Sequence, residues 1–325
     1  MHLAVYLPLV IPVLAALAAR PLADRLPPAA ATWLLAGSSL ALAAASSAVL
    51  GLLALTALVR VPPVAAIANM SVEAISRSDT VSLPVAIAAG ALLATAAAAA
   101  CRALWRRGTA IAAAGRQARR LPGAGQVVVT QDDAADAYTL PGWPCRIVIT
   151  SGMLRALTEP ERKVLVAHER AHAGGSHYLF TSAARLAAAA NPLLRPVAAQ
   201  VGYTVERWAD ERAATAAGDR PLTARAIARA AMASTAAPPD PAGQTTALGL
   251  VGGKDAEQKE KPSLRRAGPV PRRVAALLGP PPRTSMLLLA GAVLLVALSG
   301  ASALEAARNL HQLLEMAQTA SAARS

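Results

Sequence analysis

The chain has 325 residues, 54% of them hydrophobic, and carries 32 Lys and Arg against 19 Asp and Glu for a formal charge of +13. With 16% charged and 3% aromatic residues it is neither a disordered polyelectrolyte nor a nucleic-acid reader built on aromatic stacking platforms. Its two cysteines, Cys101 and Cys145, are too few for a disulfide framework or a Cys-based zinc site, so any chemistry falls to His, carboxylates or hydroxyls.

Uncharged stretches run over 2–19, 26–59, 80–101 and 284–304. A membrane-spanning helix needs roughly 17–25 apolar residues, so each stretch is long enough. The predicted spans lie at about 3–19, 31–59, 82–101 and 284–304; the third, with Ala96 to Ala100 in its centre, is the least hydrophobic. The first could be a cleaved signal peptide, but it has no basic residue ahead of it and a second apolar stretch follows within ten residues, which favours a retained span.

Loop charges set the expected orientation, because Lys and Arg near span ends stay in the cytoplasm. Segment 102–283 holds 26 basic against 14 acidic residues, so nearly all the excess charge lies there. Four alternating spans place this segment and the loop 20–25 on the same, cytoplasmic side. The N-terminus, the loop 60–82 and a short tail, 305–325, are expected outside the cell membrane. The basic balance therefore reports topology and contact with the bilayer, and no nucleic-acid partner is expected.

Within the cytoplasmic segment a basic stretch, Arg102 to Arg120, reads as a solvated juxtamembrane face. Two strand-like runs follow, Gln126–Thr130 and Arg146–Thr150, separated by three Asp and by Pro141-Gly142-Trp143-Pro144; they predict an antiparallel hairpin or meander. Then the period changes. Thr158-Glu159-Pro160-Glu161 is a capping box with Pro in the first turn, and it predicts a helix from about Glu159 through residue 172.

On that helix lies His168-Glu169-Arg170-Ala171-His172. Two His at i and i+4 share a face, so both imidazoles can reach one ion, while Glu169 flanks the remaining coordination position as a candidate general base. A shuffled chain of this composition would show H-E-x-x-H by chance at about 0.002, which makes the match specific. A catalytic zinc wants a third protein ligand. His177 does not fit the metzincin spacing H-x-x-G-x-x-H, because Tyr178 occupies the ligand position; His177 reads as a residue behind the ligands or on the surface. Glu206 and Asp210 share a helix face four residues apart, so Glu206 can complete the ligand set while Asp210 fixes the tautomer of a ligand imidazole. Between the two motifs, 178–205 reads as two helices broken at Asn191-Pro192 and lying on the membrane surface, since Arg185 and Arg195 interrupt their apolar runs.

Taken in order, the four spans, His168-Glu169-Arg170-Ala171-His172, Asn191-Pro192-Leu193 and Glu206-Arg207-Trp208-Ala209-Asp210 resemble the integral-membrane zinc peptidases of the beta-lactam sensor-transducer (BlaR/MecR) type, relatives of the HtpX-type membrane proteases. The resemblance covers residues 1 to about 304. It implies a mainly α, four-span bacterial membrane protein with a cytoplasmic α+β, gluzincin-like zinc peptidase domain. By it one Zn2+ per chain is held by His168, His172 and Glu206, with Glu169 as base and Asp210 behind the ligands. Two departures stand out: His177 occupies a position where family members often carry Asp, and only about 20 residues, 305–325, follow the last span here, so antibiotic sensing by an attached penicillin-binding domain is not expected.

The resulting domain expectation is three spans in 1–104, a peptidase domain in 105–235, a flexible Pro/Gly/charged linker in 236–283, the fourth span in 284–304 and the tail. The expected function is zinc-dependent endopeptidase activity on cytosolic or membrane-proximal polypeptide, with a cytosolic transcriptional repressor as one candidate substrate. The alternatives are an HtpX-like quality-control protease and a non-catalytic scaffold with a vestigial zinc site. A substrate strand is expected to add to Arg146, Ile147, Val148, Ile149 and Thr150. Tyr203 and Arg207, near Glu206 in sequence, are candidates for oxyanion stabilisation.

Overall fold

The computed structural model describes residues 7–58, 82–143, 145–236, 269–280 and 285–322. The loop expected at 60–82 and most of the expected linker, 237–268, fall outside the described residues.

The chain begins with α1 (Leu7–Arg25) and α2 (Pro28–Leu58). Pro28 opens α2 without cost, because its fixed φ suits the first turn and its missing N–H would have had no partner there. Next comes α3 (Leu83–Arg120), which carries the third apolar stretch and the whole basic run Arg102 to Arg120 in one 38-residue helix. The last helix, α10 (Met286–Ala322), contains the fourth apolar stretch and continues well past the expected end of that span at 304. Among the described residues, four segments are long and apolar enough to cross a membrane: Leu7–Arg25, Pro28–Leu55, Leu83–Arg120 and Met286–Glu305.

After α3 the chain forms β1 (Val127–Thr130), β2 (Ala137–Leu140) and β3 (Arg146–Thr150), in the order β1-β3-β2. The expected antiparallel pairing of the two strand-like runs is corrected: β1 and β3 are parallel, Val127 opposite Ile147, and antiparallel β2 pairs with β3 on its other side. The Arg146 guanidinium explains the direction, since it donates to the carbonyls of Gly123 and Gly125 and so ties the start of β3 to the start of β1. β3 is buried along its whole length and paired on both sides. It has no free edge, so Arg146, Ile147, Val148, Ile149 and Thr150 cannot receive an added substrate strand, and that expectation fails.

From β3 the chain passes through α4 (Ser151–Ala156) into α5 (Glu159–Gly174), which starts at the expected capping box: the Thr158 N–H donates to Glu161 at 2.9 Å. Then come α6 (His177–Ala190), a 3-10 turn at Pro192–Leu194 and α7 (Arg195–Ala217). The break at Asn191-Pro192 falls where expected. The location of the excursion does not. Ala184 and Ala187 of α6 and Val197, Val201 and Val205 of α7 share one buried cluster with Ile11, Ala19, Leu22 and Ala23 of α1 and Leu35, Ala36 and Leu42 of α2.

Small residues let these backbones approach, and hydroxyls then bond across the helices. Thr32 of α2 donates to Thr204 of α7 at 3.0 Å; Asn191 donates to Ser46 at 3.1 Å; the Ser46 hydroxyl donates to the Pro8 carbonyl at 2.7 Å. The α6–α7 hairpin is thus built into the bundle of α1 and α2 rather than resting on a surface. Two further helices complete the described chain, α8 (Arg220–Ala236) and α9 (Pro269–Leu278). The latter lies in the stretch expected to be flexible linker. It is an ordered helix packed on α7 and α8, with Leu277 buried beside Ala214 and Ala224.

Candidate metal centre

The face of α5 that carries His168 and His172 meets the face of α7 that carries Glu206 and Asp210. The Nε2 atoms of His168 and His172 are 3.1 Å apart. The Glu206 carboxylate faces both: Oε2 lies 3.7 Å from His168 Nε2 and Oε1 lies 3.5 Å from His172 Nε2. Zinc bonds of about 2.0–2.1 Å in a tetrahedron put the donor atoms roughly 3.3 Å apart, so the three separations fit one zinc ion held by two imidazoles and a carboxylate. The three residues that the sequence groups lie together here, although they come from helices separated by α6.

The two imidazoles are backed differently. His168 Nδ1 lies 3.0 Å from Asp210 Oδ1, as the sequence expectation has it. His172 Nδ1 faces away from Glu206 and meets His177 Nδ1 at 3.0 Å. His177 is therefore a buried neighbour of the ligand set, only 2% exposed, with its ring 4.7 Å from that of Trp208 on α7. The turn that brings it there is tight. Ser176 adopts the left-handed conformation at φ 48°, which costs a non-glycine residue about 1–2 kcal/mol. A Cβ on Gly175 would stand 2.4 Å from His177 Nε2, so only glycine leaves room for the folded-back ring.

Glu169, one residue after His168, is buried beside β2. The Thr139 hydroxyl of β2 lies 2.8 Å from Glu169 Oε2 and 3.1 Å from the Glu169 carbonyl; donating to the carboxylate, it aims the candidate base. Spacing could not have revealed this contact, because β2 itself carries a weak strand signal.

A third contribution is missing from the sequence reading altogether. Arg273 of α9 donates through Nε to Asp210 Oδ2 at 2.7 Å and through Nη2 to Oδ1 at 2.6 Å, and its Nη1 lies 2.9 Å from Glu206 Oε2. The neighbouring Arg272 reaches Asp24 at 2.6 Å and stacks over the Tyr203 ring at 3.9 Å. Arg220, paired with Glu211, donates to the carbonyls of Ala276 and Leu277 at 3.1 and 3.0 Å and so caps α9. The only signal in the sequence was the doublet Arg272-Arg273 after Pro271, which reads as linker charge.

Tyr203 and Arg207 are committed elsewhere. Arg207 donates to the Ala23 carbonyl at 2.6 Å, and Tyr203 lies under Arg272. Both tie α7 to its neighbours α1 and α9, which leaves nothing to support them as oxyanion donors.

Electrostatics follow from this wiring. Burial would lower the His168 pKa, but the hydrogen bonds and charges of Asp210 and Glu206 raise it well above 6.5. Burial would raise the two carboxylates, yet Arg273 and the histidines hold both below their usual range. On the other side burial dominates: it lowers His172, and burial together with the His172 charge pushes His177 down to about 3. Beside His172 opens a cavity of about 640 Å3 whose lining includes Thr139, Trp143, Arg146, Ser176 and Tyr178.

No curated protein and no solved structure matches the chain. Residues 100–191 match the family model described as peptidase family M48, a stretch that runs from the latter part of α3 through the sheet and α5 to the end of α6. The match takes in His168, Glu169 and His172 and ends before Glu206, Asp210 and Arg273. It supports a metallopeptidase of the M48 kind.

Proposed function

We propose that the chain is an integral-membrane zinc endopeptidase that hydrolyses peptide bonds of cytosolic or membrane-proximal polypeptides. The observation that carries this reading is the meeting of three residues, the two imidazole Nε2 atoms 3.1 Å apart and a different Glu206 carboxylate oxygen 3.5 to 3.7 Å from each, with Asp210 behind His168 and Glu169 next to His168 on the helix. His168 and His172, through the Nε2 atoms that face each other, and the Glu206 carboxylate would hold the ion. When bound, zinc supplies a Lewis acid that polarises a carbonyl and makes water acidic enough to deprotonate near neutral pH. Glu169, aimed by Thr139, takes the proton of the attacking water and returns it to the leaving amine.

Substrate presentation moves to a different strand. β2 is the edge strand on the Glu169 side, so an extended peptide would pair there, with one side chain entering the cavity next to His172. The orientation we favour is cytoplasmic, on the basic loop charges, with a bacterial cell membrane as the setting. Mounting of α7 on α1 and α2 supports substrates close to the bilayer. Unfolded segments of regulators and of damaged membrane proteins both meet that description.

The test is zinc stoichiometry in detergent-solubilised wild type and Glu206→Ala, with casein or peptide turnover by wild type and Glu169→Ala. The expected result is one zinc per wild-type chain, little or none in Glu206→Ala, and turnover lost in Glu169→Ala. A metal-free wild type, or activity that survives loss of Glu169, overturns the reading.

A further inference from the structure

We infer that His177 is a positioning residue for the metal centre: its Nδ1 accepts the proton that a zinc-bound His172 carries on Nδ1, fixing the orientation and tautomer of that ligand through a neutral partner. The inference rests on the zinc reading above and adds a residue to it.

His172 Nε2 faces His168 Nε2 at 3.1 Å and Glu206 Oε1 at 3.5 Å, so Nε2 is the nitrogen that binds an ion placed among these donors. A neutral imidazole that binds through Nε2 must keep its proton on Nδ1, and that N–H needs an acceptor in a buried site. The atom 3.0 Å away is His177 Nδ1. Both rings cannot present N–H at this contact, so His177 accepts at Nδ1 and carries its own proton on Nε2.

Three features hold the acceptor in place. Ser176 takes a left-handed conformation, which reverses the chain between α5 and α6. Gly175 leaves the space the ring fills, since a Cβ there would stand 2.4 Å from Nε2. The ring is packed between His172, at 4.8 Å centroid separation, and Trp208, at 4.7 Å. A strained turn, an obligatory glycine and an aromatic wall all serve one contact. An imidazole placed for packing alone would not need its Nδ1 aimed at the free nitrogen of a ligand.

A neutral acceptor has a consequence that the carboxylate behind His168 does not. Asp210 makes His168 more basic, whereas His177 orients His172 without adding charge, so the two ligands differ in donor strength although their residue type is the same. Replacing His177 by an acid would remove that difference.

The experiment measures zinc affinity of the full-length protein in detergent by competition with a chromophoric chelator, in wild type, His177→Phe, His177→Asn, His177→Asp and the ligand control Glu206→Ala. His177→Phe keeps a ring against Trp208 but has no acceptor, and a 10–100-fold weaker affinity is expected. Asn places Oδ1 at the same point along the side chain as His Nδ1, and affinity within about threefold of wild type is expected from this rescue. With cobalt(II) in place of zinc, His177→Asp is expected to shift the visible ligand-field bands, a change that packing alone would not cause. Wild-type affinity in His177→Phe overturns the inference, as does an Asn variant that is folded by circular dichroism yet binds as weakly as Phe. If wild type takes up no zinc, or Glu206→Ala binds as well as wild type, the zinc reading itself falls and this inference with it. Loss confined to Glu206→Ala removes the inference alone.

Discussion

The metal centre has two sides that are built by opposite means. Behind His168 stand charges gathered from across the chain: Asp210 on α7 and Arg273 on α9, the latter joined through two hydrogen bonds to Asp210 and one contact to Glu206. Behind His172 stands His177, five residues on, held by a local turn and by Trp208. The charged side depends on long-range assembly, so it forms only when α9 has docked. The neutral side is set mainly by the single helix-turn-helix of α5 and α6, with Trp208 of α7 as its wall, and needs no charge to be compensated. A centre made in this way has one half that reports the state of the whole fold and one half that does not.

Breaking the charged side is expected to give the largest effect. Arg273→Ala leaves the buried Asp210 carboxylate and the half-buried Glu206 without their shared guanidinium, and removing one partner of a buried pair such as Arg273–Asp210 costs about 3–5 kcal/mol. Thermal and denaturant unfolding in detergent should show that loss. Arg273→Lys should recover part of it but not all, because an ammonium cannot form the two-pronged contact with Asp210. If Arg273→Ala unfolds like wild type, the charged side is not what holds α9 down.

A second effect sharpens the contrast through pH. In the metal-free protein Asp210 and Glu206 hold the His168 pKa above its unfolded value, against burial. The folded chain then keeps a proton that the unfolded chain has released. The stability this provides is fully present below pH 6.5 and falls as pH rises through the raised value, by up to about 1.4 kcal/mol per pH unit. Melting of metal-free protein between about pH 7.5 and 9, above the range in which the lowered His172 and His177 still titrate in the unfolded chain, should follow that slope, and His168→Gln should flatten it. His177 predicts a window of the opposite sign: its folded pKa is pushed down to about 3, so its contribution grows as pH rises from about 3 towards 6.5 and is complete above about pH 7.5, where both chains carry it neutral. A slope unchanged in His168→Gln would place the proton elsewhere.

The same contrast explains what could be read in advance. His168, Glu169 and His172 were legible because a helix converts i and i+4 into one face, and the capping box at Thr158 set where that helix starts. Glu206 and Asp210 were legible for the same reason, once a pair of imidazoles was waiting for a ligand. Arg273 was not, since its partner lies 63 residues away and its own surroundings, rich in Pro, Gly and charge, have the composition of a linker. The strand β2 was missed because Ala137-Tyr138-Thr139-Leu140 is short and shows no alternation, and without it β3 looked like an edge. Nor does composition tell a helix lying on a bilayer from one bonded into a bundle. Single hydroxyls decide that for α6 and α7, at Thr32 with Thr204 and at Ser46 with Asn191.

The smallest expected effect concerns the contact that neither side of the comparison owns. Thr139 on β2 joins the sheet to α5 at Glu169, next to the charged side yet held by a neutral hydroxyl. Thr139→Val keeps the shape of the side chain and its fit to a strand but removes the donor. Glu169 remains in place through its own helix, so zinc affinity should stay near that of wild type. Turnover should fall by roughly 3–10-fold, the equivalent of one hydrogen bond of about 0.5–1.5 kcal/mol. The loss should appear in kcat rather than KM, because the base acts on the proton in the transition state and not on substrate binding. Peptide kinetics on Thr139→Val and Thr139→Ser separate the possibilities: recovery in the Ser variant assigns the effect to the hydroxyl, whereas equal loss in both assigns it to packing of β2 against α5.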